Sequence, residues 1–369
     1  MKVAIAGAGI MGLCAARALV KRGHRVAVYD RGPIPNPLAS SFDDHRLIRY
    51  PYGAQQGYAA MIDPAFRAWA GLWEDLGVSY YRETGTLVLS RQLGGWAADS
   101  ARVLDALGHP YTRIAPGAIE ERFPFLDASG LRQALYLKSG GFLQAADILL
   151  GLAGYLERAG AALHPNTAIR RVDHDAGVAF LEDGTAIQAD LLVVAAGAWS
   201  PALAPTNAPP LVPSRQVVVY LNPPLEQAGA WTEAPMLLDI DPDSGFYLVP
   251  PRGDKGLKIG DHRFSMRGDP DATREATDEE VDEEVNEILA AAKGRLRGFD
   301  RFSVERAKVC FYTVAPEERF YVGRAGRTWT MAGFSGHGFK FGALMGDRLA
   351  EAIDGSLSED VLARWAAGW

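Results

Sequence analysis

An α/β fold of two domains is predicted by three observations. An apolar β-type run, Lys2-Val3-Ala4-Ile5-Ala6, feeds glycines at 7, 9 and 12 and then a helical pattern. A second β-type run, Arg25-Val26-Ala27-Val28-Tyr29, ends in Asp30. And 369 residues are too many for one ordinary core. The glycines stand in G-x-G-x-x-G spacing. Gly7 permits a tight turn, Gly9 lets the backbone approach a pyrophosphate, and Gly12 seats the helix close on the strand. The helix opening at Ile10 and Met11 turns free N–H groups and a positive dipole end toward the phosphates. Asp30 follows Gly12 by eighteen residues. A carboxylate there accepts hydrogen bonds from a ribose diol and repels a 2′-phosphate, so NADP is disfavoured while FAD and NAD remain.

Composition narrows the classes. The chain is 48% hydrophobic and 22% charged, as in an ordinary globular protein, and no apolar run reaches membrane-spanning length. The N-terminal run is punctuated by glycines and lacks the plan of a signal peptide. A net charge of −7 gives no electrostatic reason to bind nucleic acid. Two cysteines, Cys14 and Cys310, cannot build a disulfide framework, so a cytoplasmic location is expected. Neither has zinc-type spacing to other ligands, and no metal is expected.

Along the first helix, Leu13, Cys14, Ala16, Leu19 and Val20 form a buried face, with Arg17, Lys21 and Arg22 outside and Gly23 as the stop. Cys14 reads as a small core residue. After a proline-broken loop, residues 40–50 carry Arg46 and Arg49, three apart and on one face if the segment is helical. Leu47 and Ile48 imply burial nearby, where arginine needs an anion. Trp69, Leu72, Trp73 and Leu76 mark an amphipathic helix. A strand at 85–90, a helix at 94–107 and a stretch broken by Pro116, Pro124 and Gly140-Gly141 depart from simple alternation, so part of this region is assigned to the second domain.

A helix at 148–158 is followed by strands at 168–172 and 177–181, with Asp183-Gly184 as a hairpin-type turn. The run 190–199 is a buried strand ending in small residues, which let a ligand pass close. Four prolines in 205–213 mark a boundary. Strands follow at 215–221, 245–251 and 256–262, and alternation puts Lys258 opposite Leu257 and Ile259, on a solvent-facing side. Thr277-Asp278-Glu279-Glu280 reads as a capping box opening an acidic helix with Val281, Val285, Ile288 and Leu289 inward. A strand at 308–313 carries Cys310. Another at 328–332 runs into residues 333–342, with four glycines in ten positions before a helix at 343–353. That is a second backbone-amide site at a helix start. Two distant anion sites favour a long cofactor with a reducible ring, FAD over NAD.

Five stretches occur together and in order: the N-terminal G-x-G-x-x-G, residues 40–53, Gly256-Leu257-Lys258-Ile259-Gly260-Asp261-His262, Cys310-Phe311-Tyr312-Thr313, and residues 333–341. The combination resembles the monomeric sarcosine oxidase and N-methyltryptophan oxidase family of FAD-dependent amine oxidases, flavoproteins of the D-amino acid oxidase type. The resemblance covers essentially the whole chain. It implies a Rossmann-type, glutathione reductase-like FAD-binding domain from residues 1–82, 143–210 and 317–369. A mixed-sheet α+β substrate domain would come from 83–142 and 211–316. It also implies FAD joined covalently through Cys310. Arg31, Ser40, Ser41, Val172, Ala196 and Gly197 would add to the cofactor's surroundings, as would Tyr312 and the run Gly336, His337, Gly338, Phe339 and Lys340.

Arg49 and Lys340 match the pair that holds a substrate carboxylate, and Arg46 matches an arginine near the flavin. Lys258 matches the lysine held over the ring, where oxygen is reduced; Tyr247 and His262 match residues of the substrate cavity. Phe42 stands where members acting on sarcosine have histidine, and Tyr50-Pro51 also departs. Phe42 and Tyr50 are therefore expected to line a pocket for a larger or more apolar amine. The implied reaction oxidises a secondary amine, an N-substituted or cyclic amino acid, to an imine and reduces O2 to hydrogen peroxide. The resemblance implies a monomer with no membrane or nucleic-acid partner. The rivals are a deglycating (fructosyl-amine) or pipecolate-type oxidase, a flavin dehydrogenase not using O2, and, from different classes, an NAD-dependent dehydrogenase and a flavin-binding protein without catalysis.

Overall fold

Two sheets carry most of the strands. The structure, a computed structural model, describes residues 1–241, 244–253, 255–271 and 279–369. The opening strand Lys2–Ala6 is central in a six-stranded sheet, flanked on one side by Arg25–Tyr29 and Ala162–His164. On its other side lie Leu191–Val194, Thr328–Ala332 and Tyr321–Ala325. All neighbours are parallel except the last pair. Parallel strands need cover on both faces, hence their near-continuous apolar runs. Helix Ile10–Lys21 covers one face, with Gly342–Ile353 and Ala145–Arg158 packed against it. A meander of Ile169–Asp173, Val178–Leu181 and Ala186–Gln188 covers part of the other, through Ala179 and Ile187 on Ala4 and Leu192.

The first turn is as tight as its glycines allow. Gly7 has φ +105°, and a Cβ on Gly12 would sit 1.9 Å from the Gly7 carbonyl oxygen. Backbone cannot yield as a side chain can, so Gly12→Ala is expected to cost about 1–3 kcal/mol. Thermal denaturation checks this, and an unchanged melting temperature would show that the turn relaxes freely. Cys14 lies buried under the helix that starts at Gly342, as expected of a core residue. Arg17 departs from its expected outer position. It is buried, its Nε 2.6 Å from Asp75 and an Nη 3.3 Å from Asp347, because helices Ile62–Leu76 and Gly342–Ile353 cover that side.

The second sheet has eight strands, ordered Ser303–Val314, Val212–Asn222, Leu257–Asp261, Ser244–Val249, Met236–Asp241, Thr86–Ser90, Gln133–Leu137 and Thr112–Ile114. It is antiparallel except between Met236–Asp241 and Thr86–Ser90. Helix Glu279–Lys293 covers one face, where Val281 and Ile288 meet Val219, Leu257 and Ile259. Thr277 and Asp278 of the expected capping box lie outside the described residues.

Residues 45–48 are a strand, not a helix. His45–Ile48 pairs with Gly141–Gln144, which also pairs with Tyr81–Glu83. The neighbouring backbone comes so close that a Cβ on Gly141 would lie 2.0 Å from the Arg82 carbonyl oxygen. This small sheet spans from the helices of the first layer to the open face of the large sheet. Among the described residues no helix is long and apolar enough to cross a membrane. No group of three or more His, Cys, Asp or Glu among them is placed to hold a metal ion.

Candidate active site

A long cavity begins at the glycine turn and runs past the carboxyl ends of the parallel strands. Gly7, Gly9, Ile10 and Met11 line it, with Asp30, Arg31, Ser40, Ser41, Ala196 and Gly197. Its far end is bounded by Tyr312, Gly336, Gly338 and Phe339. With its mouth it encloses about 1430 Å³. That space includes open solvent at the mouth; a lining that runs from the glycine turn to Tyr312 and Phe339 is what an extended dinucleotide requires.

Asp30 is fixed by its own loop. Its Oδ2 accepts from the Ala8 N–H at 2.8 Å, and Oδ1 from the Gly32 N–H at 2.9 Å and Asn36 Nδ2 at 2.8 Å. A carboxylate has about four acceptor positions, so roughly one remains for a ribose hydroxyl. Ser41 Oγ accepts from the Ile10 N–H at 3.0 Å at the helix start. The cradle is shaped for backbone approach: a Cβ on Gly336 would lie 2.3 Å from the Tyr312 ring.

A second cavity joins the first, sharing Arg46, Tyr312, Ser335, Gly336 and Phe339 with it. The open face of the large sheet gives it Tyr247, Lys258 and His262, and the small sheet gives His45, Arg46 and Arg49. Lys340 and His337 enter from the glycine-rich turn, and Tyr52 and Trp96 close the side. Arg46 and Arg49 thus reach one cavity although the segment is extended. Lys340 is buried, its Nζ donating to the Tyr52 hydroxyl at 3.0 Å and the His337 carbonyl at 2.9 Å. Arg49 donates to the Pro51 carbonyl and lies over the Tyr52 and Trp96 rings. Neither makes an ion pair with a carboxylate among the described residues, although Glu318 at the rim attracts Arg49. Burial and the neighbouring Arg49 guanidinium push Lys340 well below the usual lysine value. A bound anion would reverse that cost.

Lys258 corrects a simple reading of alternation. It is 2% exposed, because the face opposite Leu257 and Ile259 is covered by the segment around residue 43. Its Nζ donates to Asp43 Oδ2 at 2.5 Å and to the His45 carbonyl at 3.1 Å. Burial and the Arg46 charge lower it to about 8 against the opposing pull of Asp43. Burial alone would raise Asp43, but Lys258 and Arg46 overcome this and hold its carboxyl well below the usual range. Burial and the Lys258 charge hold His45 neutral, down to about 3, and neither of its ring nitrogens has a hydrogen-bond partner. An orphaned imidazole lining a cavity fits a site that takes a polar ligand or water.

Cys310 shares a strand face with Lys308 and Tyr312, two residues away on either side. That face looks toward Arg46, Asp43 and Lys258. The thiol is buried and outside the lining of both cavities, and burial raises it above the ordinary cysteine value, with Arg46 opposing.

Four other expected site residues lie elsewhere. Gly12 packs under the turn. Val172 sits in the meander, packed with Ala6 and Val194. Tyr50 is turned into the helical layer, donating to Asp63 at 2.8 Å and stacking with Phe66. Phe42 packs on the same core, and Lys308 lies over its ring. Neither Phe42 nor Tyr50 lines the second cavity. Trp96, Tyr52 and Glu318 do, and so does Leu238 from the large sheet. Asp43, Trp96 and Glu318 had no local signal, since each reaches the site from a turn or a helix start.

Comparison with known proteins agrees with this architecture. Residues 2–352 match the family model described as "DAO: FAD dependent oxidoreductase". Monomeric sarcosine oxidase from Bacillus sp. (strain B-0618) is 28% identical over 97% of this chain and 94% of its own. N-methyl-L-tryptophan oxidase from Yersinia pestis (strain Pestoides F) is 25% identical over 93% of this chain and 92% of its own. The fold is similar to that of a modified fructosyl peptide oxidase from Aspergillus nidulans, with a TM-score of 0.82 and 20% identity over 98% of this chain and 92% of the other. The chain belongs to the DAO family of FAD-dependent oxidoreductases.

Proposed function

We propose that this enzyme oxidises the C–N bond of a secondary amine that carries a carboxylate, an N-substituted or cyclic amino acid, to the imine, with O2 as electron acceptor and hydrogen peroxide as product. One observation carries the reading: two basic side chains without an acidic ion-pair partner among the described residues, Arg49 and Lys340, face a chamber that opens onto the FAD cavity through Arg46, Tyr312, Gly336 and Phe339. Bound FAD supplies a ring that accepts a hydride equivalent from the carbon beside nitrogen. Arg49 and Lys340 fix the carboxylate and so orient that carbon, a fork and a point charge converging on one anion. Tyr247 and His262 shape the wall. Lys258 presents a fixed cation where negative charge develops on oxygen. No side chain is assigned as base for the amine, and the imine hydrolyses in water.

The names of the two relatives support the amine chemistry, and that of monomeric sarcosine oxidase supports a monomer. The two units proposed for the chain are a FAD-binding domain of residues 1–82, 143–210 and 317–369 and a substrate domain of 83–142 and 211–316.

A panel of amines added anaerobically to the yellow protein tests the reading. N-alkyl and cyclic amino acids should bleach it and yield peroxide on return to air. Equal bleaching by amines without a carboxylate would overturn the assignment. Covalent attachment through Cys310 is part of the proposal. Acid precipitation should leave the colour with the protein, and Cys310→Ser should release it. Free FAD in the supernatant of the unsubstituted protein removes Cys310 from the site.

A further inference from the structure

We propose that Asp43 is a positioning residue whose carboxylate joins Lys258 and Arg46 at the junction of the two chambers and keeps Lys258 cationic beside Arg46. Asp43 is 4% exposed and lies just before the strand His45–Ile48. Its Oδ2 takes the Lys258 ammonium at 2.5 Å and also accepts from Arg46. Its Oδ1 accepts from the Tyr220 hydroxyl and from the Asp44 N–H, the latter at 2.9 Å. Tyr220 stands opposite Lys258 in the register of the large sheet. One carboxylate therefore gathers two strands of that sheet and the segment that carries Arg46.

A lysine that has lost its water beside an arginine, which stays ionised, is pushed toward its neutral form unless a counter-ion is shared. With Asp43 at −1, the unit keeps a net charge of +1 toward the cavity. The other groups around Lys258 do not replace it. His45 is held neutral, Lys308 is a further cation, and Tyr220, Tyr247, Tyr312 and Cys310 are all raised by burial and stay protonated. Asp44 is engaged by Arg306.

The consequence for turnover rests on the proposed role of Lys258, but the ion pair can be read without turnover. Competitive acetylation of the purified holoenzyme with acetic anhydride, followed at Lys258 by mass spectrometry across the neutral-to-alkaline range, gives the titration midpoint of that amine. In Asp43→Asn the midpoint should fall by about one pH unit or more, which from about 8 means about fivefold or more free amine, and so more labelling, at pH 7. In Arg46→Gln it should rise. A midpoint in Asp43→Asn that stays put, or climbs toward the free-lysine value as in a merely loosened site, overturns the proposal. If Asp43→Asn does not fold, an unmoved midpoint in Arg46→Gln does so. In turnover, the oxygen step of Asp43→Asn should slow at neutral pH and recover on acidification, a recovery that Lys258→Met cannot show. An enzyme that fails to oxidise any amine leaves the labelling result standing, so the two readings fail separately.

Discussion

Replacing Arg49 by alanine is expected to weaken the binding of a carboxylate-bearing amine, or of a simple carboxylic acid competing with it, by about 2–5 kcal/mol, on the order of 30-fold to several thousand-fold. The guanidinium is held over the Tyr52 and Trp96 rings and tied to the Pro51 carbonyl, so it is already ordered before a ligand arrives. Little side-chain entropy is then lost on binding. Truncation leaves Lys340 to hold the anion alone from its buried position. Because both act on one group, Lys340→Met added to Arg49→Ala should cost less than the sum of the two single changes. Titration of the flavin absorbance with acetate-type inhibitors and with des-carboxy analogues checks this. Analogues without the carboxylate should bind the variant and the unsubstituted enzyme alike. Unchanged affinity for the acids would dispose of the pair.

Lys258→Met should slow oxygen-dependent reoxidation by about 10²–10³-fold, the usual cost of removing one preorganised group from a site of developing charge. Reduction by the amine should be largely retained, since Arg49 and Lys340 are untouched. Methionine keeps the length of the stem, and Asp43 keeps its contacts with Arg46 and Tyr220, so the fold is expected to hold. The pH dependence has a definite sign. Lys258 is cationic below about 8 and loses its proton above it, so the lysine-dependent part of the oxygen step should decline as pH rises through that value. Stopped-flow measurement of the two half-reactions separates these effects. Equal losses in both would show that Lys258 acts on substrate binding and not on the acceptor.

The dinucleotide half of the molecule was legible because its determinants are local. Gly7, Gly9, Gly12 and Asp30 sit within one strand–helix–strand unit, and each has a backbone or hydrogen-bonding reason for its position. The late glycine cluster was legible for the same reason. What failed depended on which layer covers which face. Lys258 alternates as a solvent-facing residue would, and only the segment at 43–46 crossing that face buries it. Asp43 meets it across a separation of 215 residues, and no window of sequence contains both. Arg17 looked external until two helices from distant parts of the chain closed over it with Asp75 and Asp347. Phe42 and Tyr50 are substitutions within a motif, which reveal that a wall has changed but not which way a ring turns.

The order of strands in the six-stranded sheet governs when this protein can first hold its cofactor. Leu191–Val194 is flanked by the opening strand on one side and, on the other, by Thr328–Ala332, more than a hundred residues later. During synthesis that strand waits with an open hydrogen-bonding edge while the last five strands of the eight-stranded sheet are made, and such edges invite pairing with other chains. The far end of the long cavity arrives last, with the glycine turn that follows residue 332. Nascent chains stopped short of that turn should be sticky and colourless, however complete their opening nucleotide motif.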